Sequence, residues 1–394
     1  MGKLRLTFLV IAVLASGLLF ARYSGSDPQK YSNDFSVYYF ASTEVIEGRD
    51  PYEHSLGSWT PYLYPPLLAE MMIPLALMPL PVAAFFWQLI GAASVASAAW
   101  MSAKMSAEMS ARLASAEARP KFHKRFGSGM DSTVLVAVLS VILLARFVLD
   151  NLAMGQANTV VIFLAVAHVY CYQRERRLWS ALALAVAISI KVTPALFLVY
   201  HLGKGRIKFV STSLAVLAVV TLLSLAPFGS RAPEVFMTFA KRTLDNEQGF
   251  NLAYSGNQSL RGAIGRARGE TADEARRAST PLSIIGSALL LALALAASRK
   301  AESEASASAP FFCLLVLLSP LSWKAHFVAL MLPLAYLVAQ AAGAISTRRR
   351  VVIISTLAGV FLLFNFTSPR VIPLQASEWA DTLSLTWAGA MLVF

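Results

Sequence analysis

Short polar islands interrupt a long apolar chain, and these islands carry the side chains able to do chemistry. The first is Asn33-Asp34-Phe35-Ser36-Val37-Tyr38-Tyr39, followed by Gly48-Arg49-Asp50-Pro51-Tyr52 and Tyr64-Pro65-Pro66. Gly155-Gln156-Ala157-Asn158 and Lys191-Val192-Thr193-Pro194 lie in the middle of the chain. Asn257-Gln258-Ser259-Leu260-Arg261-Gly262 and Ser319-Pro320-Leu321-Ser322-Trp323-Lys324-Ala325-His326 come last. A positioned carboxylate can take a proton from a poor nucleophile. Cations can neutralise negative charge as it develops. The islands hold both kinds of group.

Each of these residues also has a plainer reading. Asp34 opens a predicted helix behind Ser32 and Asn33, so it is either an N-cap or a catalytic acid-base group. Asp50 precedes a proline in a turn and is a structural or a binding acid. Lys191 interrupts apolar sequence; it either snorkels to an interface or binds phosphate, because charges within apolar spans are costly and commonly functional. Arg261 either contacts ligand or packs its loop. His326 is an interfacial histidine or a ligand contact, and Lys324 is a fourth candidate cation. Gln156 and Asn158 either flank a helix break with Gly155 as C-cap or touch substrate, and Asn257 and Gln258 are further polar candidates. Tyr38, with Tyr39, Trp59, Tyr62 and Tyr64, stacks on a sugar or sits in an aromatic interface belt. Glu44 and Glu47 read as a solvated face.

Several chemistries are excluded by what the sequence lacks. There is no GxxxxGK[ST] loop, since Gly203-Lys204-Gly205-Arg206 lacks the Ser/Thr, and no GxGxxG after a strand. HExxH, CxxC and Asp-x-Asp patterns are also missing. ATP and nucleotide sugars therefore have no evident seat, and no metal or other cofactor is expected.

A membrane protein must position these residues. The 394 residues are 57% hydrophobic and 14% charged, against about 25% charged in ordinary soluble domains. Mean hydropathy is +0.59. Apolar runs separated by short polar clusters mark a polytopic helical membrane protein in the lipid bilayer. This pattern excludes a soluble enzyme, a disordered chain, a coiled coil and a disulfide scaffold. The net charge of +12 would suggest nucleic acid in a soluble protein. Here the basic residues cluster beside apolar runs, so they set orientation and no nucleic-acid partner is expected. Cys171 and Cys313 lie inside such runs as small hydrophobes.

Positive-inside counting puts the clusters around Lys3, Lys104 to Arg125, Arg174, Lys204, Arg299 and Arg348 in the cytoplasm, and the acidic stretch 23–64 outside. The whole chain, 1–394, reads as one polytopic domain. It has a first outer loop at 23–80, a cytoplasmic loop at 104–131 and a long outer loop at 227–280. An uncleaved first span is preferred to a signal peptide at 6–20. Further spans are predicted near 82–103, 132–149, 157–173, 207–226, 281–298, 309–322, 327–344, 351–366 and 379–394. Stretch 179–202 reads as two short helices meeting at Lys191-Val192-Thr193-Pro194, for about twelve crossings in all. Segments 35–47 and 66–79 are predicted as short helices in the outer interface; the second is too short and proline-broken to span.

In this order the islands resemble the polyprenol-phosphate-dependent GT-C glycosyltransferases, and most closely glycosyltransferase family 87. The series is Asp-x3-Tyr, Gly-x-Asp-Pro-Tyr, Tyr-Pro-Pro, Gly-Gln-x-Asn, Lys-x-Thr-Pro, Asn-Gln-Ser and Ser-Pro-x-Ser-Trp, covering about 34–333. The resemblance implies an all-α integral-membrane GT-C bundle in the plasma membrane, with its active site open to the extracytoplasmic side. It implies transfer of a hexose, mannose first, from a polyprenyl-phosphate-linked sugar to a glycolipid or glycan acceptor, with inversion. Asp34 would be the general base. Lys191, Arg261, Lys324 and His326 would face the leaving phosphate, and Gln156, Asn158, Asn257, Gln258, Asp50 and Tyr38 would bind substrate. In the last motif the family often has an acid or histidine after Trp; here Lys324 stands there, with His326 two positions on.

Two other functions compete. A lipid-linked sugar flippase or transporter would favour paired repeats with broken helices at the midplane, and no repeat is evident. A scaffold of envelope biosynthesis would bind the lipid-linked sugar without turnover.

Overall fold

The computed structural model describes residues 34–52, 61–113, 132–249, 253–268, 272–343 and 346–394. Every regular element among them is helical. The first predicted span, Trp59 and most of the expected cytoplasmic loop lie outside the described residues.

The chain opens with α1 (Asp34–Ile46), α2 (Pro66–Met71), α3 (Ile73–Ala76) and α4 (Leu80–Leu113). Segment 66–79 therefore forms two short helices, each with proline in its first turn, where a missing N–H costs nothing. The expected surface position of α1 is corrected. Phe35, Ser36, Val37, Tyr38, Ala41, Ser42 and Glu44 are all buried, because α1 packs against α2, α3 and α4. Glu44 does not lie on a solvated face. It is buried and paired with Arg49, whereas Glu47 is exposed.

Next come α5 (Ser132–Leu143), α6 (Ala145–Met154), α7 (Asn158–Gln173) and α8 (Arg177–Ile190). A 3-10 turn (Thr193–Ala195) leads into α9 (Leu196–Gly203), and α10 (Ile207–Leu225) continues through a kink at Gly229 into α11 (Ala232–Gly249). The remainder is α12 (Leu260–Ala267), α13 (Ala272–Lys300), α14 (Glu304–Leu317), a 3-10 segment (Lys324–Leu330), α15 (Met331–Gly343), α16 (Thr347–Asn365), α17 (Leu374–Thr382) and α18 (Leu385–Val393).

Among the described residues four helices are long and apolar enough to cross a membrane: Leu80–Met109, Ile207–Thr243, Thr280–Lys300 and Lys324–Gly343. The α5–α6 pair would make a fifth, bent by 71°. These are helices of membrane-spanning type, as an integral membrane protein requires. This count, made of the described residues alone, does not establish about twelve crossings. Several apolar segments are short helices, Asn158–Gln173, Arg177–Ile190 and Glu304–Leu317 among them. The predicted last span at 379–394 is also broken, because Ser384, with φ of 58°, separates α17 from α18.

The core has two large apolar clusters. One gathers α1, α2, α3 and the start of α4 with Ala157, Val161 and Ile190. The other joins α4 to α9 with α12 to α16 and α18. The arginines that flank these helices, Arg174 after α7 and Arg206 before α10, lie at the far end of α7 from its first residue, Asn158. Arg174 pairs with Glu108, and Arg206 with Glu304. Sixteen residues of α7 separate the two ends by about 24 Å.

Candidate active site

Asp34 is placed by the way α1 docks. Gly155 caps α6 in the left-handed conformation, φ +64°. A Cβ there would stand 2.6 Å from Cβ of Phe35. Only glycine combines that φ with so close an approach. The Gly155 carbonyl accepts a 2.7 Å bond from Trp87 Nε1. Tyr38, one turn after Asp34, donates to Tyr64 Oη at 2.9 Å and accepts from the Ala157 N–H at 3.4 Å. The Asp-x3-Tyr and Tyr-Pro-Pro islands thus meet through two phenols.

Lys191 sits where α8 stops, with φ −150° and ψ 127°. This extended backbone redirects the chain two residues before a proline-bearing 3-10 turn. Its ammonium donates to Asn158 Oδ1 at 2.7 Å and to His326 Nε2 at 2.9 Å. An ammonium has no acceptor, so Nε2 is a lone-pair site and the proton of a neutral His326 ring is on Nδ1. Asn158 Nδ2 donates to Gln156 Oε1, and the Gln156 side chain hydrogen-bonds Asp34. The end groups fix both amide orientations, since one end only donates and the ionised other end only accepts. A relay therefore runs from His326 through Lys191, Asn158 and Gln156 to Asp34.

Burial pushes the Asp34 carboxyl above the usual range, and the Lys191 charge and the Gln156 bond pull it partly back. The result is a carboxylate more basic than a solvated one and still held near a cation, which suits a general base. A cavity of about 550 Å³ opens over these groups, lined by Asp34, Tyr38, Tyr64, Gln156, Lys191, Thr193, Trp323 and His326, with Val192 and Phe239 on an apolar side. Asn158 lines a small adjoining space with Lys191 and His326.

The other candidates lie elsewhere. Arg261 does not line this cavity; its guanidinium donates to Thr280 Oγ1 at 2.7 Å, as α12 turns it towards α13. Lys324 points into a neighbouring cavity and pairs with Asp381. Lys324 and His326 stand two residues apart on the same 3-10 segment and face different ways. Asp50 is buried and accepts the Tyr52 N–H at 2.9 Å, an Asx turn. Asn257 and Gln258 are fully buried. Asn257 Oδ1 accepts from the Ser322 N–H, its Nδ2 donates to the Pro320 carbonyl, and the Gln258 N–H donates to the Ser322 carbonyl. These two residues hold the loop that carries Trp323 and His326. Arg266 bonds the carbonyls of Tyr254 and Asn257 and so helps to close this loop. Tyr64 joins the site through Tyr38, and its Tyr-Pro-Pro motif is the signal that pointed to it.

The sequence profile of glycosyltransferase family 87 matches residues 62–320. A polyprenol-phosphate-mannose-dependent alpha-(1-2)-phosphatidylinositol mannoside mannosyltransferase of Mycobacterium tuberculosis is 29% identical over 98% of this chain and 88% of its own. The corresponding pentamannoside mannosyltransferase of that species is 28% identical over 84% and 70%. Among solved structures, ArnT from Cupriavidus metallidurans bound to undecaprenyl phosphate is similar at a TM-score of 0.44 and 12% identity, over 98% of this chain and 77% of that one. With the profile spanning more than half of its length, the chain belongs to glycosyltransferase family 87.

Proposed function

We propose that the chain transfers a hexose, mannose first, from a polyprenyl-phosphate-linked donor to a glycolipid or glycan acceptor on the extracytoplasmic side, inverting the anomeric centre. The observation that supports this most is that Asp34 and Lys191 share one cavity and are joined by a carboxamide relay. The donor requirement of the mannosyltransferase relatives supports the choice of sugar and carrier.

Asp34 takes the proton of the acceptor hydroxyl as the new glycosidic bond forms. The bond from the anomeric carbon to the phosphate oxygen breaks, and its electron pair leaves with the lipid phosphate. Positive charge gathers on the sugar ring meanwhile, and the nearby carboxylate stabilises it. Lys191 has three N–H donors and spends two on Asn158 and His326; the third meets the departing phosphate. His326 and Asn158 keep the ammonium in place, so it needs no reorganisation as charge develops. No metal enters this scheme, because Lys191 supplies the positive charge. Val192 and Phe239 offer apolar surface to the first isoprene units. The distance of the cavity from the basic end of α7 supports the extracytoplasmic orientation.

The test is incubation of the purified chain with labelled polyprenyl-phosphate mannose and a panel of glycolipid acceptors. Label in a glycolipid product supports the reading, and donor that stays intact with every acceptor refutes it.

A further inference from the structure

Behind Trp323 lies a second cavity of about 720 Å³. Trp323 lines both, so this residue stands between them. The chemistry of the second cavity differs from that of the first. Three carboxylates, Asp150, Glu378 and Asp381, face two cations, Lys324 and Arg370. Arg370 pairs with Asp150, and Lys324 with Asp381. Both lining cations are matched, and Arg146 and Arg266, which also act on Asp381, are engaged with Thr367 and with the Tyr254 and Asn257 carbonyls, so these cations are already committed and the wall does not favour a phosphate.

It does suit a polyol. Carboxylates and matched cations offer both acceptors and donors to hydroxyl groups. Tyr254, 52% exposed, and Trp323 meet edge to face with ring centroids 6.0 Å apart, and aromatic rings of this kind cover the apolar face of a sugar. The approach depends on Gly256, where a Cβ would stand 2.6 Å from the Tyr254 ring and 3.1 Å from Trp323. A polar group without compensation points the same way. Asp381 is only 8% exposed, and its Oδ1 has no hydrogen-bond partner among the described residues. Buried acceptors are nearly always satisfied, and a sugar hydroxyl at this wall would satisfy it.

We infer that this second cavity binds the neutral glycan headgroup of the acceptor and presents its terminal hydroxyl past Trp323 to Asp34. The inference rests on the glycosyltransferase reading and adds to it where the acceptor sits and what it is: an uncharged oligosaccharide, not a phosphorylated one.

Two measurements on the full-length chain separate the inference from that reading. The first is binding of octyl dimannoside, without donor, followed by tryptophan fluorescence. The second is steady-state transfer from polyprenyl-phosphate mannose to the same glycoside. Glu378→Gln and Tyr254→Ala, both at exposed positions, should weaken glycoside binding and raise its KM about tenfold or more, the loss of one charge-assisted bond or one stacking ring. The KM for the donor should stay within about twofold. Weakened binding in the variants upholds the inference even if the wild type transfers nothing. Transfer with an unchanged acceptor KM in both variants, or with a raised donor KM instead, overturns it and leaves the glycosyltransferase reading standing. A wild type that neither binds the glycoside nor uses it overturns the inference as well.

Discussion

Replacing Lys191 with glutamine removes the charge at the centre of the relay and keeps most of its volume. The wild-type ammonium is held by Asn158 at 2.7 Å and His326 at 2.9 Å, which leaves one donor for the leaving phosphate. A hydrogen bond to a charged group is worth about 1.5–3 kcal/mol. Removing one preorganised donor from a developing anion costs about 10²–10³ in kcat, or about 2.7–4 kcal/mol. Lys191→Gln should therefore lower kcat by about 10²–10³, with little change in the KM of the acceptor. A second consequence follows from charge. The Lys191 ammonium lowers the Asp34 carboxyl against the upward push of burial; without it the carboxyl rises further. The acid limb of the pH–rate profile should then move to higher pH, since Asp34 works only when ionised. The assay is single-turnover transfer from labelled polyprenyl-phosphate mannose across a pH series, with thermal unfolding in detergent to show that the variant is folded. A folded variant that loses less than about tenfold, or whose acid limb stays where the wild type has it, would contradict the assignment of Lys191.

Other outcomes follow from the same geometry. In the wild type, activity should fall as pH drops through the raised Asp34 value, so the acid limb should lie above that of a solvated aspartate; a limb at the ordinary value would remove burial from the account. Gly155→Ala places a Cβ 2.6 Å from Phe35 at φ +64°. It should cost at least about 1–2 kcal/mol from backbone conformation alone and lower both the unfolding temperature and kcat, because α1 carries Asp34; an unchanged unfolding temperature would show that α1 is not clamped there.

The sequence announced some of this arrangement and concealed the rest for physical reasons. Lysine within apolar sequence followed by Thr193-Pro194 marks a break wherever it occurs, and α8 does end at Ile190. Gly155 declares its C-cap locally, and Pro66 the start of α2. The contact between Lys191 and His326 spans 135 positions, and no local period encodes which of four cations reaches the carboxylate. Lys324 and His326 are two residues apart, and only the 3-10 path of that segment sends them into different cavities. Arg261 and Arg266 are equally polar on paper, yet packing against Tyr254 and Asn257 decides that Arg266 closes the loop. Asp381 was invisible for a related reason: it lies in a stretch that reads as one apolar span, and its significance arises from α17 folding back onto the 322–326 loop. The burial of α1 was also hidden, because its Tyr, Ser and Glu residues resemble a wet face until other chain segments cover them.

The most direct test is the transfer rate of Asp34→Asn with polyprenyl-phosphate mannose as donor, measured beside donor binding by the same variant. Loss of the base should cut turnover by about 10²–10⁴ while donor binding persists, since Lys191 and His326 are untouched. Turnover close to that of the wild type would mean that some other group takes the acceptor proton.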